Sequence, residues 1–296
     1  MVGTGLSSVL LGRTRPSVAV LAYHNVLPAG HPPVGDLALH IDRARFAEHL
    51  DLLTETHEVV PLDEAFSEPA DPARPRAVLT FDDAYVGALT VGLEEVTARG
   101  LPATVFVTPG RLGTEGFWWD ILAPGDGEPL AAVVRRSALD VHAGEQDRVL
   151  SWAASEDLPR TSMPPEARPA DHELLRRAAG RPGVTLGSHT WGHANLSVLP
   201  PERCRDEVER GHGGLREALG GRGVVIDWLA YPYGLESRAA VAAADEVVKR
   251  AVLVEGGLAR RRGHPEPHPL RIPRISVPRG LSADGLSLRL AGLVGN

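Results

Sequence analysis

Two short stretches of this sequence carry side chains able to activate water at a divalent cation. The first is Thr80-Phe81-Asp82-Asp83, at the end of the apolar run 77–81. The second is Ser188-His189-Thr190-Trp191-Gly192-His193, at the end of the apolar run 184–188. Neighbouring side chains point to opposite faces while a strand stays extended, but where the backbone turns at a strand end both carboxylates can reach one cavity. Two like charges held there are costly unless a cation or a proton intervenes. A cation on one carboxylate lowers that cost and leaves the other free as a base. Histidines four residues apart can share an ion in a helix or in a tight loop, and Gly192 favours the loop. Each pattern alone has a plainer meaning: Asp pairs cap helices, and two of 12 histidines can simply be surface residues. Together, Asp83, His189 and His193 supply one oxygen and two nitrogens, and three protein ligands leave positions open for water and substrate, as a catalytic site requires.

These residues must be positioned by a regular scaffold. Runs rich in Val, Leu and Ile recur at 17–24, 58–62, 77–81, 103–108, 184–188, 224–231, 251–254 and 270–277. Continuous apolar runs, rather than alternating ones, mark strands buried on both faces, as in a parallel sheet. Helical patterns fall between them. Residues 43–56 place Phe46, Leu50 and Leu53 on one face, residues 89–98 end before Gly100, and residues 201–219 stop at a Gly pair. This alternation predicts an α/β fold, a barrel of parallel strands with helices outside. Both candidate motifs then lie at the C-terminal ends of strands, where barrel active sites assemble. Residues 110–182 break the rhythm with Pro, Gly, Ala and charge, and carry helical pieces near 129–139 and 171–179. So long an interruption reads as an inserted cap beside the site. Its Trp118-Trp119-Asp120 either packs indole faces on a sugar ring or anchors the insert in the core.

At 296 residues, with 43% hydrophobic and 23% charged residues, the chain fits one large α/β domain or one barrel with insertions. A net charge of −7 gives no ground for a nucleic-acid partner held through phosphates. The basic cluster Arg260 to Arg262, beside Gly263, reads as a solvated loop. The single cysteine, Cys204, excludes an intramolecular disulfide and a zinc site built from several thiolates, and reads as structural. No positive charge precedes the first apolar run, and Arg13 and Arg15 interrupt it before it reaches the length of a secretory core. No stretch approaches the ~18 continuous apolar residues of a membrane helix. The expectation is a cytoplasmic protein without a membrane span.

The order TFDD, SHTWGH, then Leu229-Ala230-Tyr231-Pro232-Tyr233-Gly234 resembles the polysaccharide deacetylase family (carbohydrate esterase family 4, the NodB homology domain). The resemblance covers roughly residues 17–280. It implies a distorted (β/α)7-type barrel over that span, with the insertion at about 110–182, and residues 281–296 are expected to form a C-terminal helix. It also implies hydrolysis of the N-acetyl group of an N-acetylated sugar or polysaccharide, giving acetate and a free amino sugar. Carried over residue by residue, Asp82 is the general base, while Asp83, His189 and His193 bind the metal. Two His and one carboxylate suit Zn2+, with Co2+, Ni2+ and Mn2+ also compatible. The Tyr233 backbone N–H would stabilise the oxyanion: Pro232 donates no N–H, so the next amide is the natural donor. Trp118, Trp119, Trp191 and Tyr231 are the candidate contacts to the carbohydrate. Oligomeric state is not readable from the sequence.

Two departures from the family pattern matter. Many members carry Arg two residues before this Pro, where this chain has Ala230. The usual late Leu-x-His segment, source of a general acid, is not evident. Tyr23-His24-Asn25 instead resembles a subgroup with permuted motif order, which implies His24 as the acid. Arg274 is the candidate replacement for the missing Arg as partner of Asp82. Two other functions fit the same residues: a metal-dependent hydrolase of a non-sugar amide, and a non-catalytic carbohydrate-binding relative, which only Ala230 favours.

Overall fold

The computed structural model describes residues 17–67, 71, 73–125, 128–221, 225–260 and 265–294. The chain opens with β1 (Val18–Tyr23), followed by two short strands, β2 (Asn25–Leu27) and β3 (His40–Asp42), that pair in parallel as a small separate sheet. Helix α1 (Arg43–Thr56) starts where the Asp42 carboxylate accepts the Arg45 N–H at 2.9 Å, and it buries Phe46, His49, Leu50 and Leu53. Then come β4 (Glu58–Val59) and β5 (Arg76–Phe81), a π turn over Ala88–Gly92 that runs into α2 (Leu93–Ala98), and β6 (Ala103–Val107). The insert contains α3 (Trp118–Ile121), α4 (Ala132–Asp140), α5 (Gln146–Ser155) and α6 (His172–Ala179). The remaining elements are β7 (Val184–Ser188), α7 (Pro201–Ala218), β8 (Trp228–Ala230), α8 (Arg238–Val247), β9 (Arg250–Gly256), β10 (Ile272–Ser276) and α9 (Ala283–Leu290).

Seven strands run in the order β1-β10-β9-β8-β7-β6-β5, every pair parallel, and β5 pairs back onto β1 to close the barrel. β4 lies beside the first residues of β5. Side chains alternate between two buried environments. Val18, Val20, Val78, Phe106, Ala230 and Val252 fill the barrel interior, whereas Ala19, Leu21, Tyr23, Leu79, Phe81 and Val105 face the surrounding layer. Burial on both faces is why the strands read as unbroken apolar runs. The seam register, Val18↔Arg76 through Tyr23↔Phe81, brings the next residues, His24 and Asp82, side by side at the barrel's C-terminal end. Likewise Val107↔Ser188 and Ser188↔Leu229 carry His189 to the same rim, with its N–H on the Val107 carbonyl at 2.8 Å.

All eight expected strands form, the run at 58–62 shortened to Glu58–Val59 and that at 224–231 to Trp228–Ala230. The sequence signals missed β2 and β3, whose three residues each are too short to show a period, and the helices α3, α5 and α8. α8 is alanine-rich, so little polar contrast marks its faces. Arg260 corrects the expectation of a solvated loop: it is 2% exposed and donates to Glu266 at 2.8 Å. Arg261 and Arg262 lie outside the described residues, as do the first apolar run, Arg13 and Arg15. Cys204 is buried on α7 with its thiol toward the Leu196 carbonyl. Among the described residues no helix is long and apolar enough to cross a membrane.

Burial, with Arg74 nearby, pushes His57 at the end of α1 down to about 4, and burial also lowers His49. An unfolded histidine takes its proton near about 6.5. The folded ring of His57 resists until about 4, so stability is complete above the higher value and falls as pH drops between the two. His57→Gln should flatten that decline by on the order of 1–3 kcal/mol, read from urea midpoints across the interval.

Candidate metal centre and active site

Past β5 the backbone turns sharply: Asp83 and Ala84 hold φ of 70° and 52°, in the left-handed region. This turn defeats the alternation of an extended strand and directs both Asp82 and Asp83 into one cavity. Left-handed backbone costs a non-glycine residue of order 1–3 kcal/mol and persists only where the surroundings enforce it. The histidine stretch is likewise a loop, with Thr190 and His193 both at φ 64°. Helix α7 clamps it. A Cβ on Gly211 would come within 2.4 Å of the Thr190 backbone, so only glycine allows this approach. Glu207 accepts the Gly192 N–H on its carboxylate at 2.8 Å and the Trp191 N–H on its carbonyl at 2.9 Å.

Nδ1 of His189 donates to the Ala230 carbonyl at 2.8 Å, which fixes the tautomer and leaves Nε2 as a lone-pair donor. Nε2 of His193 lies 3.1 Å from it. Oδ1 of Asp83 is 3.2 Å from His193 Nε2 and 3.7 Å from His189 Nε2, yet this buried oxygen accepts no hydrogen bond. The three ligand atoms all lie within 4.8 Å of one another. Burial lowers both rings, His193 to about 3, and raises the Asp83 carboxyl to about 6. A single proton among these atoms could serve one pair, whereas a divalent cation satisfies all three. The residues therefore fit a metal ion.

Asp82 is compensated differently. Arg274, fully buried, grips it with two parallel bonds, Nη1 to Oδ1 at 2.8 Å and Nη2 to Oδ2 at 2.6 Å. Arg274 also donates to Thr80 Oγ1 at 3.0 Å and to the Leu253 carbonyl, and its guanidinium lies 5.5 Å from the Phe106 ring. Burial by itself would raise the Asp82 carboxyl, but the charge of Arg274, joined by His189, holds it well below the usual carboxylate range. Asp82 is thus ionised throughout the neutral range and held off the Asp83 site, with Oδ2 4.0 Å from His189 Nε2.

A model of the family described as polysaccharide deacetylase matches residues 70–252, which carry the Asp pair, both histidines and the Ala230-Tyr231-Pro232-Tyr233 turn. The chain belongs to the polysaccharide deacetylase family. Solved structures share its fold. A polysaccharide deacetylase from Bacillus cereus is 13% identical with TM-score 0.64, aligned over 93% of this chain and 69% of its own. The deacetylase PplD of Streptococcus pyogenes, solved with acetate, is 16% identical with TM-score 0.61 over 94% and 98%. IcaB from Ammonifex degensii is 19% identical with TM-score 0.61 over 93% and 97%. No curated protein sequence matches.

In this member of the polysaccharide deacetylase family the barrel rim and the insert enclose a cavity of about 450 Å³. His24, Asp82, Asp83, His189, His193 and Tyr233 all line it. Burial lowers His24, against the opposing pull of Asp82 and Asp83. Tyr233 sits in a left-handed turn (φ 58°), and its hydroxyl accepts the Trp118 indole N–H at 3.0 Å. Of the four candidate sugar contacts, only Trp119 lines the cavity. Trp118 is 1% exposed and serves as the anchor for Tyr233. Trp191 is turned outward beneath the Arg210 guanidinium, 4.5 Å from its ring, because the left-handed Thr190 reverses the chain before it. Tyr231 follows the inward-facing Ala230 and so packs outside the barrel among Leu196, Cys204 and Ala240.

Sequence reasoning missed Asp36 and Arg135, which form an ion pair at the cavity wall between the loop after β2 and the insert helix α4. It also missed Leu39, Leu139, Leu235 and Val254, which give the cavity an apolar side. None belongs to a motif: Asp36, Leu39, Leu235 and Val254 come from separate segments of the rim, and Arg135 and Leu139 from the insert helix that packs over them. Removing Arg274 would leave the Asp82 charge buried and unpaired. Arg274→Ala should cost about 3–5 kcal/mol in denaturant unfolding; a loss below 1 kcal/mol would show that the pair does not carry this burial.

Proposed function

We propose that this chain is a metal-dependent hydrolase that removes the N-acetyl group of an N-acetylated sugar, releasing acetate and the free amine. The observation that carries this reading is the convergence of Asp83 Oδ1 with the Nε2 atoms of His189 and His193, all within 4.8 Å, beside an Asp82 tied to Arg274 rather than to that group. Membership of the polysaccharide deacetylase family supports the acyl-transfer chemistry, and the acetate in the Streptococcus pyogenes deacetylase is of the same chemical class as the product.

Asp83, His189 and His193 would hold the ion; Zn2+ suits the donor set, and Co2+, Ni2+ or Mn2+ would also be accepted. A cation there would supply Lewis acidity, easing loss of a water proton and polarising the acetyl carbonyl. Asp82, ionised and oriented by Arg274, takes the water proton as the water oxygen bonds to the acetyl carbon. The Tyr233 amide, which follows Pro232 in a left-handed turn, would donate to the oxygen on which charge develops. The C–N bond then breaks, and His24 delivers a proton to the departing nitrogen. His24 enters the step protonated, a state the Asp82 and Asp83 charges favour against burial, and regains its proton from solvent once Asp82 has released the one it took. Arg274 takes the place that Arg at position 230 holds in many relatives: Ala230 is small and lies inside the barrel, the space that the β10 side chain enters.

The apolar wall of Leu39, Leu139, Leu235 and Val254 also suits a non-sugar amide. Acetate release from N-acetylglucosamine oligomers and from non-sugar N-acetyl amides, with and without chelator, decides between them. The sugar reading expects release from the oligomers that chelator abolishes; release from the non-sugar amides alone would overturn it. Asp82→Asn should keep the metal and lose about 10²–10⁴ in rate. Asp83→Ala and His189→Ala should lose both metal and rate. Near-normal turnover by Asp82→Asn would refute its role as the base.

A further inference from the structure

The two histidines of the centre are held in different ways. His189 has its second ring nitrogen on the Ala230 carbonyl. Among the described residues, Nδ1 of His193 finds no partner outside its own residue. A metal-ligating histidine normally has its other nitrogen tied to a carbonyl or carboxylate, which fixes the ring's orientation. His193 is instead boxed by rings: Tyr233 stands edge-on at 4.6 Å, Trp119 lies 4.7 Å away, and Phe117 lies at 6.0 Å, stacked on Trp119. Ring contacts of this kind attract weakly and do not fix rotation as a hydrogen bond does. The box positions His193 only if its own rings are anchored.

Tyr233 is held by Trp118, and Trp119 is anchored through a buried polar chain that the chemistry above does not use. The Trp119 indole N–H donates to the Tyr85 hydroxyl at 2.9 Å, and that hydroxyl donates to Asp120 Oδ2 at 2.6 Å. Oδ1 of Asp120 accepts the Asp36 N–H and His40 Nε2–H, both at 2.9 Å. Nδ1 of His40 in turn accepts the Asn25 amide at 3.0 Å. Tyr85, Asp120, His40 and Asn25 are all fully buried. The loop before Asp36 is fitted to this carboxylate, since a Cβ on Gly35 would fall 2.4 Å from Asp120 Oδ1. A fully satisfied buried network is rigid and specific, whereas one left partly satisfied is costly.

We infer that Asp120 is a positioning residue for the metal centre, orienting His193 through Tyr85 and Trp119 in place of the hydrogen bond that His193 lacks. This rests on the metal reading of Asp83, His189 and His193. The same carboxylate holds the Asp36 backbone at the cavity wall, so one buried charge sets both the ligand ring and the wall beside it.

The test is titration of the full chain with Co2+ alone, followed by visible absorption, for the unaltered protein, Tyr85→Phe, Asp120→Asn and their double variant. Tyr85→Phe keeps volume and removes only the hydroxyl link, so it remains informative even if Asp120→Asn folds poorly. The expected result is Co2+ binding weakened about tenfold or more, with an altered visible spectrum. Because the two residues act on one path, the double variant should bind no more weakly than the weaker single variant. A residue that served folding alone would lower the urea midpoint and leave the affinity and spectrum of the folded fraction unchanged. Affinity within twofold of the unaltered protein for Tyr85→Phe would therefore overturn the inference while leaving the metal reading intact. Failure of the unaltered chain itself to take up Co2+ would remove both.

Discussion

Two neighbouring carboxylates, Asp82 and Asp83, sit almost wholly buried at the end of one strand, and the surrounding structure must keep their charges from competing. It does so by separating their compensation. Arg274 reaches across the barrel interior to take Asp82 in two bonds, while Asp83 is turned by left-handed backbone toward two neutral imidazoles. The same separation gives the residues different chemistry. One carboxylate is held ionised and oriented, and the other is left with an oxygen that accepts no hydrogen bond and faces two lone-pair nitrogens.

The barrel makes this arrangement possible because parallel register is shared around the ring. Closing β5 onto β1 aligns His24 with Asp82, and the pairing of β6, β7 and β8 brings His189 to the Ala230 carbonyl. Arg274 projects inward from β10 into a lumen where its neighbours at that level are Thr80 and Phe106. The insert completes the site from above. Trp119 of the insert closes on His193 opposite Tyr233 of the rim, and Arg135 reaches Asp36 across the cavity wall. The rim carries the acids and imidazoles and fixes Asp82 and His189, while the insert packs Trp119 on His193 and adds Leu139 to the cavity's apolar side.

Much of the scaffold was legible because burial on both faces leaves a strong mark. β1, β5, β6 and β7 are runs of Val, Leu, Ala and Phe with turn signals at their ends, and α1 has a regular apolar stripe behind an Asp cap. The Asp pair and the two histidines were legible because they sit at the ends of those runs. Short or low-contrast elements were not: β2 and β3 are three residues each, and alanine-rich α8 shows little polar contrast. The aromatic residues were the least readable. Trp118, Trp119 and Tyr231 are chemically alike in sequence, yet one anchors Tyr233, one lines the cavity and one packs outside the barrel.

By itself the sequence determined that parallel strands would end in acids and imidazoles, because strand burial and motif spacing are local properties of the chain. It also made Arg274 a candidate partner for Asp82, though only as a replacement for a residue absent from position 230. Tertiary structure alone decided that the Arg274 guanidinium meets both Asp82 oxygens, that Trp119 rather than Trp118 faces the cavity, and that Asp120 ties three distant segments together. Those outcomes depend on which residues the closed barrel and its insert bring within hydrogen-bond reach, and contacts across 84 or 192 positions leave no periodic trace in the chain.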